Sequence, residues 1–357
     1  MQCNIALIHP PHLFRPNDYP IFPPPWNLSD VGSTSFIGKY PIGPKFDIVP
    51  LGFISMKKYI ENNSNFTVNI YNIAYVKTSL VQKIAQENKN LYLKDKSIIN
   101  DLSDKIYYSE ALEIIKTIKA DTYAVDLHWL IYIQGAISIL KTIKTIHPKS
   151  YTLIGGLTAS YFKEEIMKLY PFIDFLIYGD ASVPLLNLVK HVKSDKLFSS
   201  IPNLIYRENN SIKMSPKKSI NDFKIIENDE TTIYNSIALS RGCPLDCITC
   251  GESKYSISRI NNYKSIRKYS IDSILEKIWS LQTKSQNSQS RPYFVLIHDP
   301  FITLGSKKWK DLLREIKSAD LKIKLLIEFF VPHTKDEIIN IANKIPGSTI
   351  HISPESI

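Results

Sequence analysis

Residues 237–253 read IALSRGCPLDCITCGES, and this stretch governs how the rest of the chain is interpreted. An apolar run of strand character leads directly into Cys243, Cys247 and Cys250, spaced C-x3-C-x2-C. Thiolates so close in sequence can surround one small inorganic centre, and soft sulfur ligands select an iron–sulfur cluster or zinc. Because three of the four cysteines in 357 residues lie here, the pattern is not that of a disulfide framework.

The number of cysteines favours an iron–sulfur cluster over a structural zinc site. A structural zinc site would need a fourth ligand from elsewhere, such as Cys3 or a histidine, and zinc sites generally pair two C-x2-C knuckles. The chain has no second knuckle. Three thiolates on a [4Fe–4S] cluster leave one iron open for another ligand. We therefore expect the three cysteines to bind a [4Fe–4S] cluster, with zinc as the alternative.

After the cysteines, strands and helices alternate. The predicted helices are Ser270–Lys284, Ser306–Ala319 and Thr334–Lys344, and the predicted strands are Tyr293–Phe301, Lys322–Val331 and Thr349–Ser353. This is the order of a (β/α) barrel, which places functional residues at the carboxyl ends of its strands. Residues 236–357 suffice for only the first half of a barrel. We therefore expect the front part of a longer protein, a truncated gene product, or a chain that a partner completes.

The first part of the chain also alternates. Its predicted strands are Asn4–His9, Phe66–Ala74, Tyr123–Trp129, Tyr151–Gly155 and Phe175–Tyr178, and its predicted helices are Pro50–Asn63, Ser97–Ala120, Gln134–His147, Tyr161–Leu169 and Val183–Ser194. The order predicts an α/β, doubly wound, Rossmann-like domain over residues 1–200. Residues 201–235 read as a hairpin and linker, so the cysteine-bearing domain covers residues 236–357.

Glycines follow two of these strands. Gly155 and Gly156 end the fourth strand in LIGGLTAS, and Gly179 ends the fifth in FLIYGDAS. Glycine there lets a bulky ligand approach the backbone, or simply allows a tight turn with positive φ. The GxGxxG of a dinucleotide site is absent after the first strand. The long segment from His9 to Val49 is either a lid over the strand ends or a proline-rich arm packed on the surface.

The cysteine motif is that of the radical S-adenosylmethionine (SAM) superfamily, and residues 1–200 resemble the cobalamin-binding module of one large class within it. The resemblance rests on IHPP at residues 8–11, PLGFISMKKYI at 50–60, GGLTAS at 155–160 and DFLIYGDAS at 174–182. One departure is Thr249, which stands before the third cysteine where the superfamily usually has an aromatic residue. The substitution weakens a packing contact to adenine and removes no cluster ligand.

The resemblance implies cofactor contacts in both domains. The implied cobalamin contacts are His128, Gly155, Gly156, Thr158, Tyr178 and Gly179. The implied SAM contacts are Gly251, Asp299, Ser353 and Glu355, with Glu328 inside the third barrel strand as a further acid. Helix capping and surface exposure are the alternatives for Asp299 and Glu328.

A second departure concerns the cobalt. Modules that ligate cobalt from below use Asp-x-His-x-x-Gly after the first strand, whereas Asp126-Leu127-His128 follows the third strand here and position 131 is Ile. His128 is therefore either a ligand-edge residue or a partly buried histidine with a hydrogen bond. We expect cobalamin to bind without a protein histidine beneath the cobalt.

Three functions remain open. The first is methyl transfer to an unactivated carbon or phosphorus, in which one SAM supplies the methyl group through cobalamin and a second supplies the radical. The second keeps these cofactors but ends in oxidation, cyclisation or rearrangement. The third is a truncated, non-catalytic cobalamin- or metal-binding protein. The resemblance also implies a reductant such as flavodoxin or ferredoxin and a substrate that the sequence does not identify.

Composition and the amino-terminal sequence predict which partners and which cellular compartment the protein has. The net charge of +10 comes from scattered lysines, so a nucleic-acid partner is not favoured. The start, MQCNIALIHPP, lacks the basic region and cleavage site of a secretory signal. No apolar run is long enough to span a bilayer. We expect a cytoplasmic protein without a membrane partner.

Overall fold

The structure is a computed structural model that divides into two compact units, Met1–Ile220 and Asn221–Ile357. The described residues are 4–10, 51–73, 87, 113–192, 197–209, 211–218, 235–248, 250–251, 253–261, 266–284, 293–297, 299–331 and 333–352. The proposed lid at residues 11–49, Ser353 and Glu355 therefore lie outside the described residues.

The first unit is a seven-stranded sheet with helices on both faces. Its strands are β1 (Asn4–His9), β2 (Thr67–Asn72), β3 (Thr122–Asp126), β4 (Tyr151–Gly155), β5 (Phe175–Ile177), β6 (Leu204–Glu208) and β7 (Ser211–Met214). Its helices are α1 (Leu51–Asn62), α2 (Ile133–Ile146), α3 (Leu157–Tyr161), α4 (Lys163–Leu169) and α5 (Ser182–Val192). The strand order is β2-β1-β3-β4-β5-β6-β7, and the first five strands are parallel. This arrangement confirms the doubly wound class that the sequence predicts.

The hydrophobic core of this unit lies on both faces of the sheet. Along β1, Ile5 and Leu7 pack into one buried cluster, while Ala6 and Ile8 pack into the other. Successive side chains of a strand point to opposite faces, so a strand that is covered on both sides needs an unbroken apolar run. The sequence of β1 supplies that run, and residues 5–8 are all fully buried.

The hairpin at residues 204–214 pairs with the first sheet. β6 pairs antiparallel with β5, and β7 pairs antiparallel with β6. The backbone of β5 would otherwise present an open edge, and pairing satisfies its hydrogen-bonding groups. The first unit accordingly extends to Ile220.

The second unit contains a four-stranded parallel sheet and a small two-stranded ribbon. Its strands are β8 (Asn235–Ala238), β9 (Ser240–Arg241), β10 (Arg267–Lys268), β11 (Tyr293–Ile297), β12 (Lys324–Phe329) and β13 (Thr349–Ile352). Its helices are α6 (Lys254–Asn261), α7 (Ile271–Lys284), α8 (Pro300–Leu304), α9 (Ser306–Ser318) and α10 (Lys335–Lys344). The sheet order is β13-β12-β11-β8, and β9 pairs with β10. This is the strand and helix alternation expected at the start of a (β/α) barrel.

Three predicted elements differ clearly from the structure. The strand predicted over Tyr123–Trp129 ends at Asp126. The strand predicted over Tyr293–Phe301 ends at Ile297, because Asp299 caps a short helix that begins at Pro300. Proline at the first helical position has no N–H to leave unpaired, and its fixed φ suits a helix. The helix predicted over Tyr161–Leu169 is instead two helices, α3 and α4, which meet at Phe162.

In the part of the chain that the structure describes, no helix is both long and apolar enough to cross a membrane.

Trp309 is the largest side chain in the core of the second unit and is 0% exposed. We expect Trp309→Ala to lower the free energy of unfolding by about 3–5 kcal/mol, because the substitution leaves a cavity among residues that cannot fully collapse. The matched control is Trp279→Ala on α7, since Trp279 is 52% exposed and its loss should cost about 1 kcal/mol or less. Urea unfolding followed by circular dichroism measures both, and equal costs would contradict the described core.

Candidate functional site

The carboxyl ends of β1 and β3 form the topological switch point of the first sheet, because β2 lies on one side of β1 and β3 to β5 lie on the other. Ligands of open α/β sheets bind at such a point. His9 ends β1 and Asp126 ends β3, and His9 Nδ1 lies 3.2 Å from Asp126 Oδ2. Their side chains are 8% and 12% exposed. A buried imidazole and carboxylate therefore meet at the switch point.

Tyr132 packs against this pair. Its ring meets the His9 ring edge-on, with centroids 5.0 Å apart. Burial, and secondarily the charge of Asp126, raise the pKa of the Tyr132 hydroxyl. Tyr132 consequently keeps its proton under ordinary conditions and can serve as a hydrogen-bond donor beside the pair.

Gly156 follows β4 at the same edge, with a φ of 109°. A Cβ on this residue would lie 2.6 Å from the carbonyl carbon and oxygen of Leu127 and 2.8 Å from Oδ1 of Asp126. The β3 and β4 ends are held this close because the Leu127 N–H donates to the Gly155 carbonyl at 2.7 Å. The close packing of the protein backbone therefore requires glycine at position 156. This agrees with the alternative that the glycine allows a tight turn with positive φ.

His128 and Thr158 are joined across the edge. The backbone N–H and the hydroxyl of Thr158 both donate to the His128 carbonyl, at 3.2 and 2.9 Å. The half-buried imidazole of His128 meets the Trp129 ring edge-on at 5.3 Å. Trp129 itself is 57% exposed. The structure therefore fixes the backbone of His128 and places its side chain against one exposed aromatic ring.

Hydrogen bonds to the protein hold Tyr178 and Gly179, which follow β5. The Tyr178 hydroxyl donates to the Ser215 carbonyl at 2.8 Å, and burial raises the pKa of that hydroxyl. The Gly179 N–H donates to Ser160 Oγ at 2.9 Å, and Ser160 Oγ donates to the Gly156 carbonyl at 2.7 Å. Ser160 thus ties the turn after β5 to the turn after β4. The Tyr178 hydroxyl is committed to the β7 end.

The predicted residues of the first unit therefore lie along one edge of the sheet. His9, Asp126 and Ser160 lie at the same edge, although the sequence did not predict the His9–Asp126 contact or the role of Ser160. His9 ends one predicted parallel strand and Asp126 lies within another, Tyr123–Trp129, and this was the available signal that they could meet. Nothing in the local sequence indicated that the Ser160 hydroxyl would reach the next strand.

The cysteine loop of the second unit follows β9, and backbone contacts join its two ends. Cys243 forms a parallel bridge with Ser253, and the Lys254 N–H donates to the Leu245 carbonyl at 3.0 Å. The Cys250 carbonyl accepts from the hydroxyls of Ser253 and Ser256, at 2.9 and 2.7 Å. Two serines at the start of α6 consequently anchor the third cysteine, with Gly251 immediately after it.

The three thiols differ in exposure. Cys243 is buried, Cys247 is half-buried and Cys250 is exposed, and none of the three forms a disulfide in the described part of the chain. Within the described ranges, no group of three histidine, cysteine or acidic side chains lies close enough together to hold one metal ion. In a cubane cluster each cysteine binds a different iron, so its ligands do not converge on one point as the ligands of a single ion do.

Asp299 lies two residues after the end of β11, and its carboxylate is 0% exposed. Its Oδ1 accepts from the backbone N–H groups of Phe301 and Ile302, at 2.8 and 3.2 Å. Its Oδ2 accepts from the Phe330 N–H at 3.0 Å and lies 3.4 Å from His333 Nε2. Both oxygens are therefore committed within the protein. Asp299 therefore caps α8 and joins the ends of β11 and β12. Helix capping was the alternative role given for Asp299 from the sequence.

His333 extends this network towards α10. Its Nδ1 lies 3.5 Å from Glu337 Oε2, and its ring stacks on Phe301 with centroids 4.2 Å apart. The hydrogen bond that the Thr334 backbone N–H donates to the Glu337 carboxylate is the main cause of the lowered pKa of Glu337. Thr334 and Glu337 form a reciprocal capping box at the start of α10. The carboxyl edge of this sheet is thus reinforced by paired side chains.

Glu328 lies within β12 and is half-exposed, with its Oε1 3.9 Å from His351 Nδ1 on the neighbouring strand. β12 and β13 pair Glu328 with His351 in register, which explains the approach.

Comparison with known proteins identifies relatives of low identity, and no family model matches the chain. An uncharacterized methyltransferase of Pyrococcus horikoshii is 22% identical over 242 residues, which is 64% of this chain and 50% of the relative. An anaerobic magnesium-protoporphyrin IX monomethyl ester cyclase of Cereibacter sphaeroides is 22% identical over 281 residues, 72% of this chain and 43% of the relative. The chain thus spans about half the length of these curated relatives.

Two solved structures share the fold. The radical SAM methyltransferase TsrM from Kitasatospora setae, with cobalamin and a [4Fe–4S] cluster bound, superposes with a TM-score of 0.63 at 12% identity, covering 100% of this chain and 62% of TsrM. The cobalamin-dependent SAM radical enzyme OxsB, with aqua-cobalamin and SAM bound, gives a TM-score of 0.57 at 13% identity, covering 99% of this chain and 44% of OxsB. The predicted fold class, an α/β Rossmann-like domain followed by part of a (β/α) barrel, is confirmed.

The close approach at Gly156 can be tested by substitution. We expect Gly156→Ala to lower the free energy of unfolding by about 3 kcal/mol, because the methyl group meets fixed backbone and the φ is strained. The control is Gly305→Ala, which has a φ of 88° but nothing within 4 Å of its Cβ position, and which should cost about 1–2 kcal/mol. Urea unfolding compares them, and a Gly156→Ala cost no greater than the control would show that the edge is not packed as described.

Proposed function

We propose that this chain is the cobalamin- and SAM-binding portion of a radical SAM enzyme whose reaction is methyl transfer to an unactivated carbon or phosphorus. The observation that carries the proposal is the C-x3-C-x2-C loop at the carboxyl end of β8, the first strand of a parallel sheet whose fold is shared with TsrM and OxsB. A relative at 22% identity is also named a methyltransferase.

The residues of the loop fit a [4Fe–4S] cluster with three protein ligands. Three cysteines lie within eight residues, and the loop backbone is closed by the contacts of Cys243 with Ser253 and of Leu245 with Lys254. A closed loop holds thiolates near one another without a fourth protein ligand. When bound, the cluster would deliver an electron that breaks the sulfur–C5′ bond of SAM, and cobalamin would carry the methyl group.

The carboxyl edge of the first sheet suits a large cofactor with polar and apolar surfaces. The buried His9 and Asp126 offer polar atoms at the switch point, and the exposed Trp129 and Tyr161 follow β3 and β4 on the same edge. We assign cobalamin to this edge, with His128, Gly155, Gly156, Thr158 and Gly179 as backbone or side-chain contacts. Tyr178 supports the edge through its hydrogen bond to Ser215.

The proposed SAM contacts are Gly251, Asp299, Ser353 and Glu355. Gly251 is included because its backbone directly follows Cys250. Asp299 also acts as a positioning residue, because its carboxylate holds the ends of β11 and β12. The predicted contacts Ser353 and Glu355 keep their assignment from the family resemblance alone.

A second reaction keeps the same cofactors. One relative is named a magnesium-protoporphyrin IX monomethyl ester cyclase, which favours oxidation or cyclisation as the alternative outcome. The protein donor of the electron, a flavodoxin or ferredoxin, is part of either proposal.

Removal of one ligand tests the cluster. Anaerobic reconstitution of the full chain should give about four irons per chain, as in a [4Fe–4S] centre. We expect Cys247→Ala to lose the cluster absorbance and most of the iron, because two thiolates no longer hold it. The control, Cys3→Ala, removes the one cysteine outside the motif and should retain about four irons. Unchanged iron in Cys247→Ala, or zinc in its place, would overturn the proposal.

Product analysis separates the reactions. With SAM, cobalamin and reductant, methyl transfer should yield S-adenosylhomocysteine together with 5′-deoxyadenosine, because one SAM donates a methyl group and a second is cleaved. 5′-Deoxyadenosine alone would favour the oxidation or cyclisation alternative. Neither product from a cluster-loaded chain would support the non-catalytic reading.

A further inference from the structure

His9 and Asp126 are a buried polar pair at the end of an apolar strand. Residues 5–8 of β1 are apolar and 0% exposed, and the side chains of His9, which follows them, and of Asp126 are 8% and 12% exposed. Burying polar groups lowers stability unless each polar atom has a partner. Because apolar side chains would fill the same space, the pair indicates a ligand at the strand ends.

Asp126 engages only one of the two nitrogens of the His9 imidazole. Nδ1 lies 3.2 Å from Asp126 Oδ2, and a carboxylate at this distance favours the tautomer in which Nδ1 carries the proton. Nε2 then has a lone pair and no proton. Among the described residues, none forms a hydrogen bond or an ion pair with Nε2. His9 therefore offers one unshared lone pair in a buried site.

A carboxylate on one nitrogen and a lone pair on the other is the arrangement of a metal-binding histidine. The carboxylate fixes the tautomer and the orientation of the ring, and it makes the second nitrogen more basic. Tyr132 restrains the same ring from another side, since the two rings meet edge-on with centroids 5.0 Å apart. A pair that served folding alone would leave Nε2 buried without a partner, which costs stability.

The surroundings of His9 limit which metal can bind. Over the ranges that the structure describes, no group of three histidine, cysteine or acidic side chains could hold a metal ion by itself. A single imidazole suits a metal that brings its other ligands with it, as the metal in a macrocycle does. His9 also lies at the switch point of the sheet, where ligands of such folds bind. Cobalt in the corrin ring of cobalamin meets both conditions.

We propose that His9 Nε2 is an axial ligand of cobalt when cobalamin binds at this edge, on the side opposite the methyl group, with Asp126 as the positioning residue. This inference rests on the proposed function, since it requires cobalamin in the first unit. In the step, one Co–Nε2 bond forms and the bond from cobalt to water or to the cofactor's own benzimidazole breaks. No electron is transferred, and Nδ1 keeps its proton.

The proposal departs from the expectation that no protein histidine lies beneath the cobalt. In sequence, Asp126 stands beside His128, but in the structure its histidine partner is His9, 117 residues away. The ring of His128 meets Trp129 edge-on and has no carboxylate partner among the described residues. Thr158 holds only the backbone carbonyl of His128. His128 therefore lacks the support that Asp126 gives to His9, and it serves as the matched control.

The test is electron paramagnetic resonance of cob(II)alamin bound to the full chain, with the protein labelled with ¹⁵N and the cofactor unlabelled. The cluster is kept oxidised, so that it contributes no signal. The unpaired electron of Co(II) points along the axial direction, and an axial nitrogen nucleus splits its lines. We expect a doublet splitting from the ¹⁵N of His9.

The other spectra would each contradict the proposal. A triplet would show the ¹⁴N of the cofactor's benzimidazole, and lines without nitrogen splitting would show water at cobalt. Either result with cobalamin bound overturns the assignment of His9 and leaves the proposed function standing. A chain that binds no cobalamin, measured by absorbance, would overturn the assignment together with the cobalamin part of the proposed function.

Variants identify the residue that supplies the nitrogen. His9→Ala in the labelled chain should lose the doublet, and a triplet should appear only when ¹⁴N-imidazole is added, which also shows that the site is folded. Cobalamin bound to His128→Ala should keep the doublet. A doublet that survives in His9→Ala, or that is lost in His128→Ala, would assign the nitrogen to another residue and overturn the proposal.

Asp126→Asn tests the positioning role. We expect this variant to bind cobalamin about 10- to 100-fold more weakly, because the amide supports the imidazole less than the carboxylate does. Equilibrium dialysis measures the affinity, and the same substitution in the His9→Ala background should cost little further affinity. An affinity unchanged by Asp126→Asn alone, or lowered equally in both backgrounds, would show that Asp126 does not act through His9.

Discussion

Parallel strand pairing is the constraint on which both candidate sites depend. In a parallel sheet all carboxyl ends lie at one edge, so residues that are remote in sequence are brought together there. His9 and Asp126 are 117 residues apart and lie 3.2 Å apart because β1 and β3 are neighbours. Asp299 reaches Phe330 for the same reason, since β11 pairs with β12. In each unit, the apolar strands create the edge and polar residues occupy it.

The two edges are stabilised differently. In the first unit, Ser160 joins the turns after β4 and β5, and Gly156 permits the backbone to approach Leu127. In the second unit, the strand ends are held by a buried carboxylate instead. Asp299 accepts hydrogen bonds from three backbone N–H groups. The cysteine loop lies between β8 and α6, where it is held by its own backbone and by serines. Its thiols are thus positioned by the loop and not by the strand-end network.

The sequence predicted the fold class and the position of most strands, because buried parallel strands have continuous apolar runs. The cluster at the three cysteines stays a prediction from their spacing. It did not predict the end of β11, since Phe301 prolongs the apolar pattern although Asp299 and Pro300 form a helix start. The pairing of β6 with β5 depends on an open sheet edge that no local pattern reveals. The His9–Asp126 contact likewise depends on strand order, which follows from the whole sheet.

The central claim is that three cysteines hold a [4Fe–4S] cluster with one iron open to SAM. Electron paramagnetic resonance of the reduced, reconstituted full chain, recorded with and without SAM, tests this claim most directly. The account predicts a reduced [4Fe–4S] signal that changes on addition of SAM, because SAM binds the iron that lacks a cysteine. A four-iron signal that SAM leaves unchanged, or the absence of any four-iron signal, would contradict it.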